Sequence, residues 1–190
     1  MFCEQEQVCK KFELHVYCDA SDLAIGYVAY FKTFYTDKTT STVFVAGNFK
    51  LAPRKAVTIP RLELNAALEA SQAAKWISTN LRKPIAKTCL YSDSLVVLGY
   101  LRNISRRFSK YVSRRVYQVL QSSKVEQWHY IPSDKNPADM TTRPHTCQQL
   151  AETSWFGGPH ILKESNVNIY ASCCHTPCHS SHNFVERGQR

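Results

Sequence analysis

The stretch FELHVYCDA at residues 12–20 opens the part of the sequence that decides the fold. Its apolar and polar side chains alternate, which is the period of a β-strand. Two more strand-like runs follow after short links, AIGYVAYFKT at residues 24–33 and TVFVAGNFKL at residues 42–51. Both are rich in the β-branched and aromatic residues that favour strands. Three strands joined by short links predict an antiparallel meander.

Helices and strands alternate after the meander. A long helix is predicted over residues 61–80, with Pro60 in its first turn, where a missing N–H costs nothing. One stripe of this helix is made mostly of small residues that allow close packing on a sheet: Glu63, Ala66, Ala67, Ala70, Ala74 and Ile77. The remaining predicted elements are a strand over 86–91, helices over 95–101 and 108–120, a strand over 125–131 and a helix over 136–143 capped by Asn136. The order predicts an α/β fold, with a five-stranded mixed sheet whose first three strands are antiparallel and with helices flanking it.

The size and composition of the chain suit one globular domain. Its 190 residues, 44% of them hydrophobic, are enough for a single buried core. We expect a leader at 1–11, the domain at 12–144, a C-terminal extension at 145–162 and a disordered tail at 163–190. No apolar run is long enough to span a membrane or resembles a secretory signal. We therefore expect an intracellular protein, cytoplasmic or nuclear, without a membrane partner.

The charge of the chain indicates a polyanionic partner. The formal net charge is +9, and nucleic acid is the commonest partner of so basic a protein. Residues 95–125 contain no acid, whereas a solvated helix face usually mixes both signs. The basic residues of this run are Arg102, Arg106, Arg107, Lys110, Arg114, Arg115 and Lys124. We expect the run to bind a nucleic-acid backbone, with further contacts from Arg54, Lys55 and Arg61.

Four acidic residues lie at the ends of predicted elements. Asp19 and Asp93 each follow an apolar strand, Glu63 opens the long helix, and Asp139 lies in the first turn of the last helix. A single acid near a helix start is ordinary, because the helix dipole favours it. Buried carboxylates forced together repel each other unless a cation lies between them. Hard oxygen ligands of this kind suit Mg²⁺ or Mn²⁺, and two such ions can hydrolyse a phosphodiester.

The cysteines do not form a recognisable disulfide framework. The eight are irregularly spaced, and Cys18 and Cys89 lie inside strand-like runs, so we expect reduced and buried thiols there. The tail holds a cluster of possible zinc ligands: Cys173, Cys174, His175, Cys178 and His179. No second ligand pair stands at a customary distance, so a poorly ordered tail is the favoured interpretation.

Several ordered motifs resemble one known family. The segments LHVYCDASDLAIGYVAY, TIPRLELNAAL, YSDSLVVLGYL and WHYIPSDKNPADMTTR resemble the ribonuclease H domain of BEL/Pao-type retrotransposon polyproteins. The later SWFGGPHIL resembles the short segment that follows that domain before the integrase. The resemblance covers roughly residues 12–162. It implies a ribonuclease H-like fold and hydrolysis of the RNA strand of RNA–DNA hybrids during reverse transcription. It also implies reverse transcriptase and integrase regions of the parent polyprotein as partners.

The resemblance also implies a role for each acid. Asp19 would bridge two Mg²⁺ or Mn²⁺ ions, Glu63 and Asp93 would help hold the ion on the leaving-group side, and Asp139 the ion that carries the attacking water. Many members have a histidine in the loop before the last Asp, but residues 132–138 contain none. His129 lies upstream, and we expect it to be a packed or surface residue.

Three other functions fit parts of the pattern. One is a catalytically inactive, domesticated nucleic-acid-binding remnant, which the four retained acids argue against without proving activity. A resolvase or transposase core shares the fold class, but the order Asp, Glu, Asp, Asp and the NPAD segment favour ribonuclease H. A phosphate-binding ATPase would need Gly-rich loops, and the chain has only six glycines.

Overall fold

A five-stranded mixed sheet forms the centre of the computed structural model, which describes residues 9–53, 57–103 and 107–163. Its strands are β1 (Cys9–Ala20), β2 (Ala24–Tyr35), β3 (Thr40–Leu51), β4 (Lys87–Ser92) and β5 (Trp128–Tyr130). They lie in the order β3-β2-β1-β4-β5. The first three pair antiparallel, whereas β4 pairs parallel with β1 and β5 pairs parallel with β4. The predicted antiparallel meander and mixed sheet are confirmed.

One face of the sheet is covered by the long helix. The helices are α1 (Ile59–Asn80), α2 (Leu95–Arg102), α3 (Lys110–Ser122), α4 (Asp139–Thr142), α5 (Cys147–Glu152) and α6 (His160–Lys163). The small residues of α1 are buried in one apolar cluster with Leu14, Val16 and Cys18 of β1, which confirms the predicted stripe. Short side chains let the helix axis approach the sheet, so the two layers pack closely.

The other face of the sheet is covered by the C-terminal extension. Trp155 and Leu162 are buried there in a second apolar cluster with Tyr17 and Tyr30 of the central strands. The Tyr30 hydroxyl donates a hydrogen bond of 2.8 Å to the Trp155 carbonyl oxygen. Residues 145–162, expected to be an extension, thus contribute side chains to the core.

Several element boundaries differ from those expected, and the largest differences lie at three elements. β1 begins at Cys9, so residues 9–11 of the expected leader belong to the sheet. β5 is shorter than the predicted strand over 125–131, because Val125–Gln127 forms a 3₁₀ turn in which the Gln127 side chain accepts a hydrogen bond from the Lys124 N–H. The predicted helix over 136–143 shortens to α4.

Asn136 does not cap that helix. Its amide donates to the Cys18 carbonyl oxygen at 3.0 Å, and its carbonyl oxygen accepts from the Ala138 N–H at 3.1 Å. One end of this buried side chain is held by β1 and the other by a local turn to Ala138, and the helix starts only at Asp139. It ends before Arg143, whose extended backbone is the conformation favoured in front of Pro144.

Two further observations concern the cysteines and the helices of the described residues. Cys9, Cys18, Cys89 and Cys147 are free thiols, and Cys18 and Cys89 are buried. None of the helices in the described part of the chain combines the length and the apolar character needed to cross a membrane. The possible zinc cluster at 173–179, together with Arg54, Lys55 and Arg106, lies outside the described residues.

Candidate active site

Two of the four acids leave the sheet side by side. Asp19 lies near the end of β1 and Asp93 directly follows β4, and these strands are parallel neighbours. The register pairs Cys18 with Ser92, so the two aspartates occupy equivalent positions at one edge of the sheet. The position of each acid after an apolar strand was the signal that predicted this arrangement.

The other two acids come from helices that approach the same edge. Glu63 is in the second turn of α1, because that helix begins two residues earlier than predicted. Asp139 is the first residue of α4, which contacts β1 and β2. All four carboxylates are half-buried.

A neighbouring side chain donates a hydrogen bond to each of the four carboxylates. The pairs are Thr142 to Asp19, Ser94 to Glu63 at 2.6 Å, Ser133 to Asp93 at 2.7 Å and Arg143 to Asp139 at 2.9 Å. The sequence patterns did not identify these four donors. Ser94 carried a detectable signal, because it is also the N-cap of α2 and accepts from the Val97 N–H.

The carboxylates repel one another. Burial raises the pKa of Asp19, the charges of Asp93 and Asp139 raise it further, and the hydrogen bond from Thr142 opposes the shift. Burial likewise raises the pKa of Glu63, and the charge of Asp93 adds to the shift. The charges of Asp19 and Glu63 are therefore destabilised by burial and, further, by neighbouring acids, which is the electrostatic condition that a bound cation relieves.

The donor chemistry fits a divalent cation, although the carboxylates do not converge on a single point. Carboxylate oxygens are the ligands that Mg²⁺ and Mn²⁺ prefer. Among residues 9–53, 57–103 and 107–163, no three His, Cys, Asp or Glu side chains are gathered closely enough to hold a metal ion as they stand.

A cationic platform lies where α3 meets α1, the helix that carries Glu63. The guanidinium groups of Arg61 and Arg115 lie 5.3 and 5.5 Å from the centre of the Tyr111 ring. The Tyr111 hydroxyl donates to the Asn65 side-chain oxygen at 3.0 Å, which joins α3 to α1. Two cations on one aromatic ring form a preorganised positive surface near the helix turn that holds Glu63.

The remaining basic residues of the run are spread over two helices. Lys110 and Arg114 are exposed on α3, and Arg107 is exposed just before it. Arg102 ends α2 on the side of β5, where it is one of several positive charges near His129. The structure thus brings Arg61 and Arg115 together on Tyr111, whereas Arg102 lies at the end of α2 near His129.

A row of polar side chains lies on β1, β4 and β5, and the sequence singled out only His129 among them. His15 is buried, with Nδ1 3.1 Å from the Tyr91 hydroxyl and Nε2 3.4 Å from Glu13. The hydrogen bond with His15 is the main cause that lowers the pKa of Glu13 to about 2, whereas burial lowers the pKa of His15. His129 packs on Tyr91, and burial lowers its pKa to about 4. The expectation that His129 is a packed or surface residue agrees with this position.

Comparison with protein families finds one that is similar to the N-terminal half of the chain. The model of the family described as the Pao retrotransposon-like RNaseH-like domain matches residues 2–94, just under half of the chain. The similarity to that family therefore covers residues 2–94. The resemblance based on the motifs is confirmed, and the fold is RNase H-like. The match includes Asp19, Glu63 and Asp93 and ends before Asp139.

Solved RNase H structures are also similar to this chain. The N-terminal RNase H domain of a Mycobacterium tuberculosis protein, solved as a fusion with maltose binding protein, shares 14% identity over 70% of this chain and 91% of that chain, with a TM-score of 0.47. RNase H1 from Halobacterium salinarum shares 14% identity over 66% and 88%, with a TM-score of 0.41. LC11-RNase H1, solved in complex with an RNA/DNA hybrid, shares 10% identity over 66% and 88%, with a TM-score of 0.36. A search among curated proteins found no match.

Proposed function

We propose that this Pao-type domain is a ribonuclease H that hydrolyses the RNA strand of RNA–DNA hybrids during retrotransposon reverse transcription. The observation that carries the proposal is the meeting of Asp19 and Asp93 at equivalent ends of two parallel strands, with Glu63 and Asp139 approaching from two helices. The raised pKa values of Asp19 and Glu63 support it, because perturbed carboxylates of this kind cluster at functional sites.

The four carboxylates would hold two Mg²⁺ or Mn²⁺ ions. Such ions activate a water molecule and stabilise the leaving oxygen of a phosphodiester. The chain itself contributes the fixed framework, since Asp19 is anchored in β1 and Asp93 begins the turn into α2. By orienting the carboxylates in advance, that framework lowers the entropy cost of assembling the site.

The basic surface would bind the backbone of the hybrid. Arg61 and Arg115 are preorganised on Tyr111, and further cations extend along α3. Such contacts bind phosphates and do not distinguish base sequences. We therefore propose that the domain recognises the hybrid by its shape and 2′-hydroxyl groups. Arg54, Lys55, Arg102 and Arg106 remain proposed contacts. Reverse transcriptase and integrase regions of a parent polyprotein would add affinity and placement through effective concentration.

The test compares Asp93→Asn with a matched control. Asp93→Asn keeps the side-chain size but removes a ligand charge, so binding of a labelled hybrid should persist while Mg²⁺-dependent cleavage falls by orders of magnitude. Asp134→Asn removes the same charge from an exposed residue and should cleave like the wild type. Wild-type cleavage rates in a folded Asp93→Asn variant would contradict the proposal.

The inactive nucleic-acid-binding alternative gives a different result in the same assay. It predicts that the wild type and Asp93→Asn bind the hybrid equally and that neither cuts it. The retention of all four acids at one edge of the sheet favours the active enzyme.

A further inference from the structure

The helix that carries Asp139 is tied to the strand that carries Asp19. Asn136, which is only 5% exposed, donates to the carbonyl oxygen of Cys18, the residue before Asp19. The same side chain accepts from the N–H of Ala138, the residue before Asp139. Because a buried amide bound at both ends cannot shift without breaking both bonds, Asn136 fixes the spacing between the two segments.

Thr142 makes a second tie, directly to a carboxylate. Its hydroxyl donates to the Asp19 carboxylate and lies 3.0 Å from the Asp139 carbonyl oxygen. In return, the hydroxyl of Ser21 donates to the Thr142 carbonyl oxygen at 3.0 Å. Thr142 is 3% exposed, so water competes little for these bonds.

A glycine allows this close approach. Gly26 pairs with Asp19 across the β1–β2 register. A Cβ atom at Gly26 would lie 2.2 Å from the Thr141 hydroxyl oxygen and 2.9 Å from the Asn48 carbonyl oxygen. Only a residue without a side chain lets α4 lie against the strands at this point.

We propose that Thr142 is a positioning residue, which holds the Asp19 carboxylate in the orientation that binds the metal and sets its separation from Asp139. The inference rests on the proposed function, because it concerns the same two carboxylates. Groups that hydrogen-bond a metal ligand orient it, and their removal typically weakens metal binding by about 10–100-fold. The proposed role depends on the hydroxyl of Thr142, because that hydroxyl donates directly to the Asp19 carboxylate.

The experiment titrates Mn²⁺ into the full chain without nucleic acid, by calorimetry, and records the melting temperature of each metal-free protein. Thr142→Val removes the hydroxyl at nearly constant shape, Thr142→Ser keeps it, and Thr141→Val removes a neighbouring hydroxyl that donates to the Ala138 carbonyl oxygen. We expect Thr142→Val to weaken Mn²⁺ binding by about tenfold or more, and Thr142→Ser and Thr141→Val by less than about threefold.

The outcomes separate the inference from the proposed function. Unchanged Mn²⁺ affinity in Thr142→Val would overturn the inference, as would an equal decrease in Thr141→Val or a failure of Thr142→Ser to restore affinity. If the wild type binds no Mn²⁺, the proposed function fails and the inference fails with it. If the wild type binds Mn²⁺ and cleaves the hybrid while Thr142→Val does both equally well, only the inference is wrong.

Discussion

Removing the indole of Trp155 tests whether the C-terminal extension is part of the core. The side chain is 8% exposed and its ring centre lies 5.7 Å from that of Phe44. Gly47 leaves room for it, because a Cβ atom there would lie 2.8 Å from the Trp155 ring. Burying a tryptophan removes about 150–250 Å² from water, worth roughly 4–6 kcal/mol at about 25 cal/mol per Å². The unfolded chain already buries part of that area, so we expect Trp155→Ala to lower the free energy of unfolding by about 3–5 kcal/mol.

The assay is equilibrium unfolding in guanidinium chloride, followed by far-ultraviolet circular dichroism. Trp76→Ala is the matched control, because the same side chain is removed from a site that is 67% exposed. We expect this control to change the free energy of unfolding by no more than about 0.5 kcal/mol. The melting temperature of Trp155→Ala should fall by roughly 10 °C. A decrease below about 1 kcal/mol, or one equal to that of Trp76→Ala, would refute the packing of the extension on the sheet.

Three further predictions address charge and packing. Replacing Arg107, Lys110 and Arg114 with Gln should weaken hybrid binding in filter-binding assays. The slope of the logarithm of the binding constant against the logarithm of the salt concentration should become shallower by about 0.7–0.9 for each phosphate that is no longer neutralised. An unchanged slope would mean that these three residues touch no phosphate. Glu13 has a folded pKa of about 2 against an ordinary 4.5, so its stabilisation is present above about pH 4.5 and disappears as the pH falls toward 2. The difference in free energy of unfolding between wild type and Glu13→Gln should shrink across that window in acid titrations, and a constant difference would contradict the assignment. Gly26→Ala should displace α4 and weaken Mn²⁺ binding in calorimetry, and an unchanged affinity would show that the close approach does not matter.

The elements that the sequence predicted well are those with a strong local period. The alternation in β1 and the small-residue stripe of α1 are set by neighbouring residues, so both could be found without knowing the tertiary structure. The meeting of Asp19 with Asp93 followed from their positions after two apolar strands that were expected to be buried beside each other. In each of these predictions, the burial of a residue could be inferred from the pattern of its neighbours in the sequence.

The hydrogen-bond partners at the site could not be predicted in this way. Thr142 and Asp19 are separated by 123 positions, and their contact depends on a four-residue helix that is too short to show a period. Asn136 had the local pattern of a helix cap, but tertiary contact with the Cys18 carbonyl oxygen overrode it. Trp155 stands in an aperiodic segment, so its burial was not detectable from the sequence.

The central claim, that the four acids form a metal-dependent ribonuclease H site, is tested most directly by one cleavage measurement. The full chain is incubated at one salt concentration with labelled RNA–DNA hybrid, single-stranded RNA and duplex DNA, each with Mg²⁺ and with excess EDTA. We predict cleavage of the hybrid's RNA strand with Mg²⁺ only, leaving 5′-phosphate and 3′-hydroxyl ends, and little cleavage of the other two substrates. Hybrid cleavage that persists in excess EDTA, or a folded chain that leaves the hybrid intact with Mg²⁺, would contradict the claim.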